Sequence, residues 1–213
     1  MKLFGYFRSS AAFRVRIALN LKGLVYEDVF IHLRRGDQRA ADYLAVNPQG
    51  LVPTLELDGH ALTQSMAIVE YLDETHPEPP FLPADPAGRA RVRALAAIVA
   101  CDIHPINNLR VLRYLSRPLG HDQAAIETWY NHWIATGVEA FEQLLMAGSG
   151  AGEFCHGDVP GLADIALVPQ VVNSERYRLD LSPYPTTART YRNCMQIDAF
   201  TAAHPNNQPD RDD

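Results

Sequence analysis

Residues 2–33 read KLFGYFRSSAAFRVRIALNLKGLVYEDVFIHL. Lys2–Phe7 alternates in character, as a short strand does. Ser9 and Ser10 then offer N-cap hydroxyls to a helical pattern that sets Val15, Ala18, Leu19 and Leu21 on or near one face. Lys22-Gly23 is a helix stop, because glycine takes the left-handed conformation that closes a helix. Tyr26–Leu33 reads as a second strand. A strand, a crossover helix and a second strand place the two strands parallel.

Working outward, the polar stretch Arg34–Arg39 leads to a short helix near Ala40–Ala45 and then to NPQGLVPTLELDGHAL, residues 47–62. Thr54–Leu57 alternates as a strand and Asp58-Gly59 is a strong hairpin signal. Leu62 begins a last short strand, and Ser65 is expected to cap a helix through about Glu74 with Ile68, Tyr71 and Leu72 as its apolar stripe. The segment HPEPPFLPADPAG, residues 76–88, carries five prolines. It cannot continue a helix and reads as an extended linker. Beyond it helices are expected at Arg89–Leu115, bent at Pro105, at Gln123–Met146 and at Leu162–Asn173, with shorter ones near Thr186–Met195 and Ala199–Ala203. The expected division is an α/β domain at 1–76 with order β-α-β-α-β-β-α, a linker at 77–87 and an all-α domain at 88–213. The polar end PNNQPDRDD is expected to fray.

Composition removes several function classes. The chain has 213 residues with a formal net charge of -6, so no basic field attracts nucleic acid or anionic lipid. An anionic substrate must be caught by locally placed arginines instead. No apolar stretch approaches the roughly 18 residues a membrane span needs, and the N-terminus lacks the apolar core and cleavage site of a signal peptide. Cys101, Cys155 and Cys194 are widely spaced and odd in number, with no metal-ligand spacing, which disfavours a zinc site. They fit reduced thiols in a cytoplasmic protein.

Four places could carry chemistry. Ser9 and Ser10 stand at a helix start, where they can serve as plain caps or can donate to a sulfur near the positive helix end. Val52-Pro53 stands at a strand start, where proline is tolerated and either a trans or a cis peptide fits. Gln64-Ser65 precedes a helix whose open N–H groups can hold a carboxylate, although a serine there also serves as a simple cap. Arg8, Arg110 and Arg176 can each take a carboxylate in two parallel hydrogen bonds, and each can equally be a solvated surface group. His104 and Asn108 fall four apart and would share a helix face. His104 can act as a base or only as a positioned side chain.

The stretch FRSSAAFRVRIALNLKG (7–23) resembles the signature of the zeta class of glutathione transferases, Ser-Ser-Cys followed by aromatic-Arg-Val-Arg-Ile-Ala-Leu. With CDIHPINNLRVL (101–112), NPQGLVP, QSMAIVEYL, FLP and LADIALVPQV, the whole chain is similar to the bacterial maleylacetoacetate and maleylpyruvate isomerases of that class. The resemblance implies the glutathione transferase fold, with a thioredoxin-like first domain whose residue before a cis-proline meets the thiol peptide. It implies glutathione as cofactor and a homodimer. Ser9, slightly ahead of Ser10, would face the sulfur, and Gln64 with Ser65 would hold the tripeptide carboxylate. Gln38, Val52 and Pro53 would touch glutathione, Asp102 would meet its amine across the dimer interface, and Arg8, Arg110 and Arg176 would serve a dicarboxylic substrate.

The implied reaction turns a cis double bond trans in a small dicarboxylic keto acid of aromatic catabolism. A thiolate adds reversibly to the conjugated carbon, so the bond is briefly single and can rotate. Two rivals share the glutathione residues: a general conjugating transferase and a non-catalytic glutathione-binding module. The chain departs from the family pattern at Ala11, where cysteine is usual, so the sulfur must come from glutathione. It departs again at Gly161, three residues before Asp164, where Ser or Thr usually caps a helix. That loss costs only a few tenths of a kcal/mol.

Overall fold

The computed structural model describes residues 1–148 and 150–212. Its first strand, β1 (Lys2–Gly5), leads into α1 (Ser10–Leu21), which returns to β2 (Glu27–Phe30). β1 and β2 pair in parallel, Lys2 opposite Glu27 and Gly5 opposite Phe30. A 3-10 turn at Asp37–Arg39 and α2 (Ala41–Val46) follow, then the antiparallel β3 (Thr54–Leu57) and β4 (His60–Thr63), and then α3 (Ser65–Thr75). The sheet order is β2-β1-β3-β4. Asp58 and Gly59 both have positive φ, 51° and 80°, the conformation of the type I′ turn expected from that pair. β4 starts at His60, two residues before the expected Leu62.

α1 is buried on nearly every side, including Arg14 and Arg16. A one-sided apolar stripe was too narrow a reading, because the helix packs against both α3 and α9 (Asp198–Ala202). Residues 195–213 therefore belong to the first compact unit together with residues 1–81, and the second unit spans residues 82–194. The expected second domain of 88–213 places these last residues with the helices instead. The tail does not fray across its described part. Pro205–Asn207 forms a 3-10 turn, Asp210 Oδ2 accepts from the Phe7 amide at 2.9 Å, and Asp212 Oδ2 lies 3.1 Å from His32 Nε2. Asp213 lies outside the described residues.

The proline-rich connection is anchored at its first-unit end. Lys22 Nζ donates to Asp73 Oδ1 at 2.8 Å and to the Pro79 carbonyl at 2.6 Å, and it lies 4.0 Å from the centre of the Phe81 ring. Two peptides are cis, Val52-Pro53 and Glu78-Pro79.

In the second unit Asp85 caps α4 (Pro86–Ala97) through the Gly88 amide. The expected long helix through Leu115 does not continue past this point. A π-helical turn occupies Ile98–Ile103, residues 104–107 form turns, and a new helix α5 runs Leu109–Ser116 from an extended Asn108. Pro105 has no amide to donate and its ring blocks the preceding turn, so the helix breaks there rather than bends. Gly137, on α6 (Gln123–Met146), leaves room for this turn, since a methyl at that position would collide with Ile103. α7 (Leu162–Glu175) is buried almost throughout, with Pro169 inside it. Its N-terminus keeps half of a capping box: Asp164 accepts from the Gly161 and Cys155 amides, both at 2.9 Å. α8 (Pro185–Cys194) is fixed to α6 by Glu142, which accepts from Thr187 Oγ1 at 2.6 Å and from the Thr187 and Thr186 amides. Burial alone would raise the Glu142 carboxyl, but the bonds from Thr187 and Thr186 hold it below its ordinary range.

Candidate functional site

In the first unit the candidate residues gather where β1 meets α1 and where β3 and α3 begin. Ser9 is the N-cap of α1, and its Oγ accepts from the Ala12 amide at 3.1 Å. That bond uses an oxygen lone pair and leaves the hydroxyl hydrogen available, so capping and donation to a sulfur are compatible in one side chain. Ser10 is the first helical residue and is buried. Arg8 is half-buried, with its guanidinium 5.9 Å from the centre of the Phe7 ring.

Pro53 is cis, and among the described residues neither main-chain polar group of Val52 has a hydrogen-bond partner. The preceding segment is pinned tightly. Tyr43 Oη donates to the Leu51 carbonyl at 2.6 Å and lies 3.0 Å from Thr54 Oγ1. Asn47 Nδ2 reaches the same two atoms at 2.8 and 3.0 Å. Gly50, at φ 59°, stands so close to the Gln38 carbonyl that a Cβ would lie 2.8 Å from it, which brings the 3-10 turn against this loop. Gln38 is buried, its Nε2 donates to the Leu33 carbonyl at 3.4 Å, and its Oε1 has no partner among the described residues.

Ser65 does not cap α3 as expected. Gln64 holds the cap position at φ 69°, ψ 110°, and Ser65 is the first helical residue. The Gln64 side-chain Nε2 donates to Gln49 Oε1 at 2.9 Å. Ser65 Oγ instead accepts from Arg14 Nη1 at 3.3 Å. A guanidinium only donates, so this bond leaves the Ser65 hydroxyl hydrogen available. The first turn of α3 carries N–H groups with no partner inside the helix. A buried cation, a hydroxyl and a helix start thus converge in an anion-binding arrangement.

In the second unit the helix break separates His104 from Asn108, so the shared helix face expected of them does not exist. His104 ends the π turn, its amide bonded to the Val99 carbonyl at 3.0 Å. Asp102 is exposed on that turn. Asn108 is the N-cap of α5 and accepts from the Arg110 amide at 3.1 Å, with the Arg110 side chain exposed. Arg176 ends α7 and donates to Asn173 Oδ1 at 3.0 Å. Asn173 Nδ2 donates to Tyr130 Oη at 2.7 Å, while the Tyr130 carbonyl accepts from Asn107 Nδ2 at 3.4 Å. Tyr130 is stacked on Tyr177, centroids 3.5 Å apart, and burial pushes its hydroxyl well up. One buried tyrosine therefore braces both the segment before Arg110 and the cap that carries Arg176.

Sequence reasoning missed Tyr43, Asn47, Tyr130 and the buried pair Arg14 and Arg16. The Asn-Pro pair at 47–48 was the available turn signal, since an Asx side chain bonds its own backbone two residues on, as Asn47 Oδ1 does with the Gln49 amide at 3.0 Å. A groove of about 390 Å³ between α5 and α6, walled by Leu115, Trp129 and Trp133, contains none of the predicted residues. Burial pushes the Cys155 and Cys194 thiols up, so neither offers a thiolate near neutral pH. Among the described residues no cluster suits a metal ion, and no helix is long and apolar enough to cross a membrane.

Comparison with known proteins agrees with this geometry. Residues 1–74 match the family described as glutathione S-transferase, N-terminal domain. The chain is 49% identical over 210 residues to a maleylpyruvate isomerase of Ralstonia sp, covering 99% of each chain. It superposes with a TM-score of 0.96, at 49% identity and 99% coverage of both chains, on the holo structure of maleyl pyruvate isomerase, a bacterial glutathione-S-transferase in zeta class. A maleylacetoacetate isomerase from Methylobacterium extorquens AM1, solved with bound malonate and GSH, gives a TM-score of 0.95 at 44% identity over 98% of each chain. At 49% identity along 99% of both chains, the chain belongs to the zeta class of the glutathione transferases, the family of the maleylpyruvate and maleylacetoacetate isomerases.

Proposed function

We propose that this chain is a glutathione-dependent cis–trans isomerase of a small dicarboxylic keto acid, maleylpyruvate or maleylacetoacetate, in aromatic catabolism. The observation that carries the reading is the 49% identity to an isomerase of that kind along 99% of both chains. Glutathione, when bound, supplies the sulfur nucleophile whose reversible addition allows the double bond to rotate.

Each residue then has a defined task. Ser9 donates its hydroxyl hydrogen to the sulfur, and the α1 dipole adds a positive end, which favours the thiolate over the ordinary thiol of pKa about 8.5. The open backbone of Val52 pairs with the tripeptide beside cis-Pro53. Gln64, Ser65 and the first turn of α3 take a carboxylate of glutathione, and the unpartnered Oε1 of Gln38 accepts from a glutathione amide. Arg8, Arg110 and Arg176 take the two substrate carboxylates and stabilise the charge that develops on the keto oxygen. Asn108 orients Arg110 through the helix cap. Asp102 meets the glutathione amine of a partner subunit in a homodimer, and His104 supports that segment. The protein works in the cytoplasm.

The deciding experiment measures catalytic efficiency on both cis-acids and on a general electrophile, with glutathione at saturation. Turnover of either acid without net loss of glutathione is expected. Consumption of glutathione with the electrophile and no isomerisation of either acid would show a conjugating transferase instead. Light scattering at assay concentration should give a dimer, and a fully active monomer would remove Asp102 from the site.

A further inference from the structure

The motif FRVRIAL places two arginines inside the protein, and one of them takes no part in the site described above. Arg16 is only 2% exposed. Its Nη2 donates to the Phe7 carbonyl at 3.1 Å, and its Nε donates to the Ala203 carbonyl, also at 3.1 Å. The amide of the same Phe7 donates to Asp210 Oδ2 at 2.9 Å. Both main-chain groups of Phe7 are therefore held from outside the β1–α1 connection, one by a cation of α1 and one by an acid more than two hundred positions away. Phe7 is two residues before Ser9, whose amide is fixed to the Tyr6 carbonyl at 2.9 Å and whose carbonyl accepts from the Phe13 amide at 2.8 Å.

We propose that Asp210 and Arg16 are positioning residues for Ser9, clamping the Phe7 peptide so that the Ser9 hydroxyl is aimed at the sulfur of bound glutathione. The tail anchored by Asp210 is then a working part of the thiol-activating loop. This rests on the assignment of Ser9 to the sulfur. The clamp is also electrostatically self-consistent. Burial lowers Arg16 to about 10, opposed by Tyr26, Asp210 and Asp28, so the guanidinium stays charged near neutral pH and Asp210 supplies part of its countercharge.

The test compares Asp210→Ala, Asp210→Asn, Ser9→Ala and the double variant Ser9→Ala/Asp210→Ala. Asparagine keeps an oxygen acceptor for the Phe7 amide and alanine does not. Three quantities are read: hydrogen exchange of the Phe7 amide in the free protein, ultraviolet titration of the thiolate of bound glutathione, and kcat with the glutathione dissociation constant. Asp210→Ala should speed exchange at Phe7, raise the pH at which bound glutathione ionises, and lower kcat about ten- to a hundred-fold, the usual cost of a misplaced catalytic group, with glutathione affinity nearly unchanged. Asp210→Asn should recover most of each property, and the double variant should be no worse than Ser9→Ala alone. If Asp210→Ala keeps wild-type thiol ionisation and kcat while Ser9→Ala is impaired, the clamp is wrong and Ser9 keeps its role. If Ser9→Ala is itself unimpaired, the role of Ser9 falls and the clamp with it. Equal losses in affinity, kcat and melting temperature for the alanine and asparagine variants would mark Asp210 as merely structural and overturn the proposal.

Discussion

The groups proposed to hold glutathione and those proposed to hold the acid are built differently. In the first unit the candidate groups are mainly backbone features with interlocked supports: cis-Pro53 behind Tyr43 and Asn47, Ser65 against Arg14, Ser9 on its own cap. In the second unit they are exposed arginine side chains: Arg176 reaches Asn173 with its guanidinium, and Arg110 is held only through its backbone amide at the α5 cap. Backbone groups held by secondary structure lose little further freedom when a ligand arrives, whereas a long arginine must still be ordered. On the proposed roles, glutathione recognition belongs to the fold, while recognition of the acid rests on a few side chains that can change without disturbing it.

Four experiments test that difference. The largest effect is expected for Asp164→Ala, which tests whether the second unit's order resides in its buried caps rather than its arginines. Two amides would lose their acceptor, Gly161 and the fully buried Cys155. Denaturant unfolding should show a loss of about 2–5 kcal/mol, and a loss below 1 kcal/mol would refute this account of α7.

Arg176→Ala should cut catalytic efficiency on the acid by about 10- to 150-fold, the value of a charge-assisted hydrogen bond of roughly 1.5–3 kcal/mol. Glutathione affinity and melting temperature should stay near wild type. A parallel loss of glutathione affinity would show that the two halves are not separate in function.

Ser65→Ala is the converse. It should weaken glutathione binding about tenfold, close to 1.4 kcal/mol, as read by calorimetry in the absence of the acid. Unchanged affinity would return Ser65 to a purely structural role beside Arg14.

The smallest effect is expected for Ala11→Cys. Glutathione supplies the nucleophile, so restoring the family cysteine should change kcat by well under tenfold at saturating glutathione. A many-fold rise would mean that a protein thiol matters in the cofactor half after all.

Much of this was legible in the chain itself. The parallel β1–β2 pair, the hairpin at Asp58-Gly59 and most helix spans follow from local periodicity and turn chemistry, which act over a few residues. The element boundaries at Ser9-Ser10, Val52-Pro53 and Gln64-Ser65 were legible for the same reason, whereas the roles proposed for those residues came from the family resemblance. Proline's missing amide marked residue 105 as a disturbance, but whether a helix bends or breaks depends on what packs beside it. Here the space left by Gly137 on α6 accepts the turn at Ile103.

What the tertiary structure alone decided are the contacts between residues far apart in sequence. Arg14 and Arg16 are of a residue type that is ordinarily exposed, and it is the packing of α3 and α9 around α1 that leaves both buried. Once buried, each must find an acceptor, since an unpaired buried cation is prohibitively costly. The acceptors, Ser65 Oγ, the Phe7 carbonyl and the Ala203 carbonyl, include groups with no recognisable motif. The tail is the same case. PNNQPDRDD has the composition of a frayed end, yet Asp210 finds the Phe7 amide and Asp212 finds His32. Local sequence determines the conformation of a segment, whereas the partner of a charged group depends on which surfaces the folded chain brings within about 3 Å.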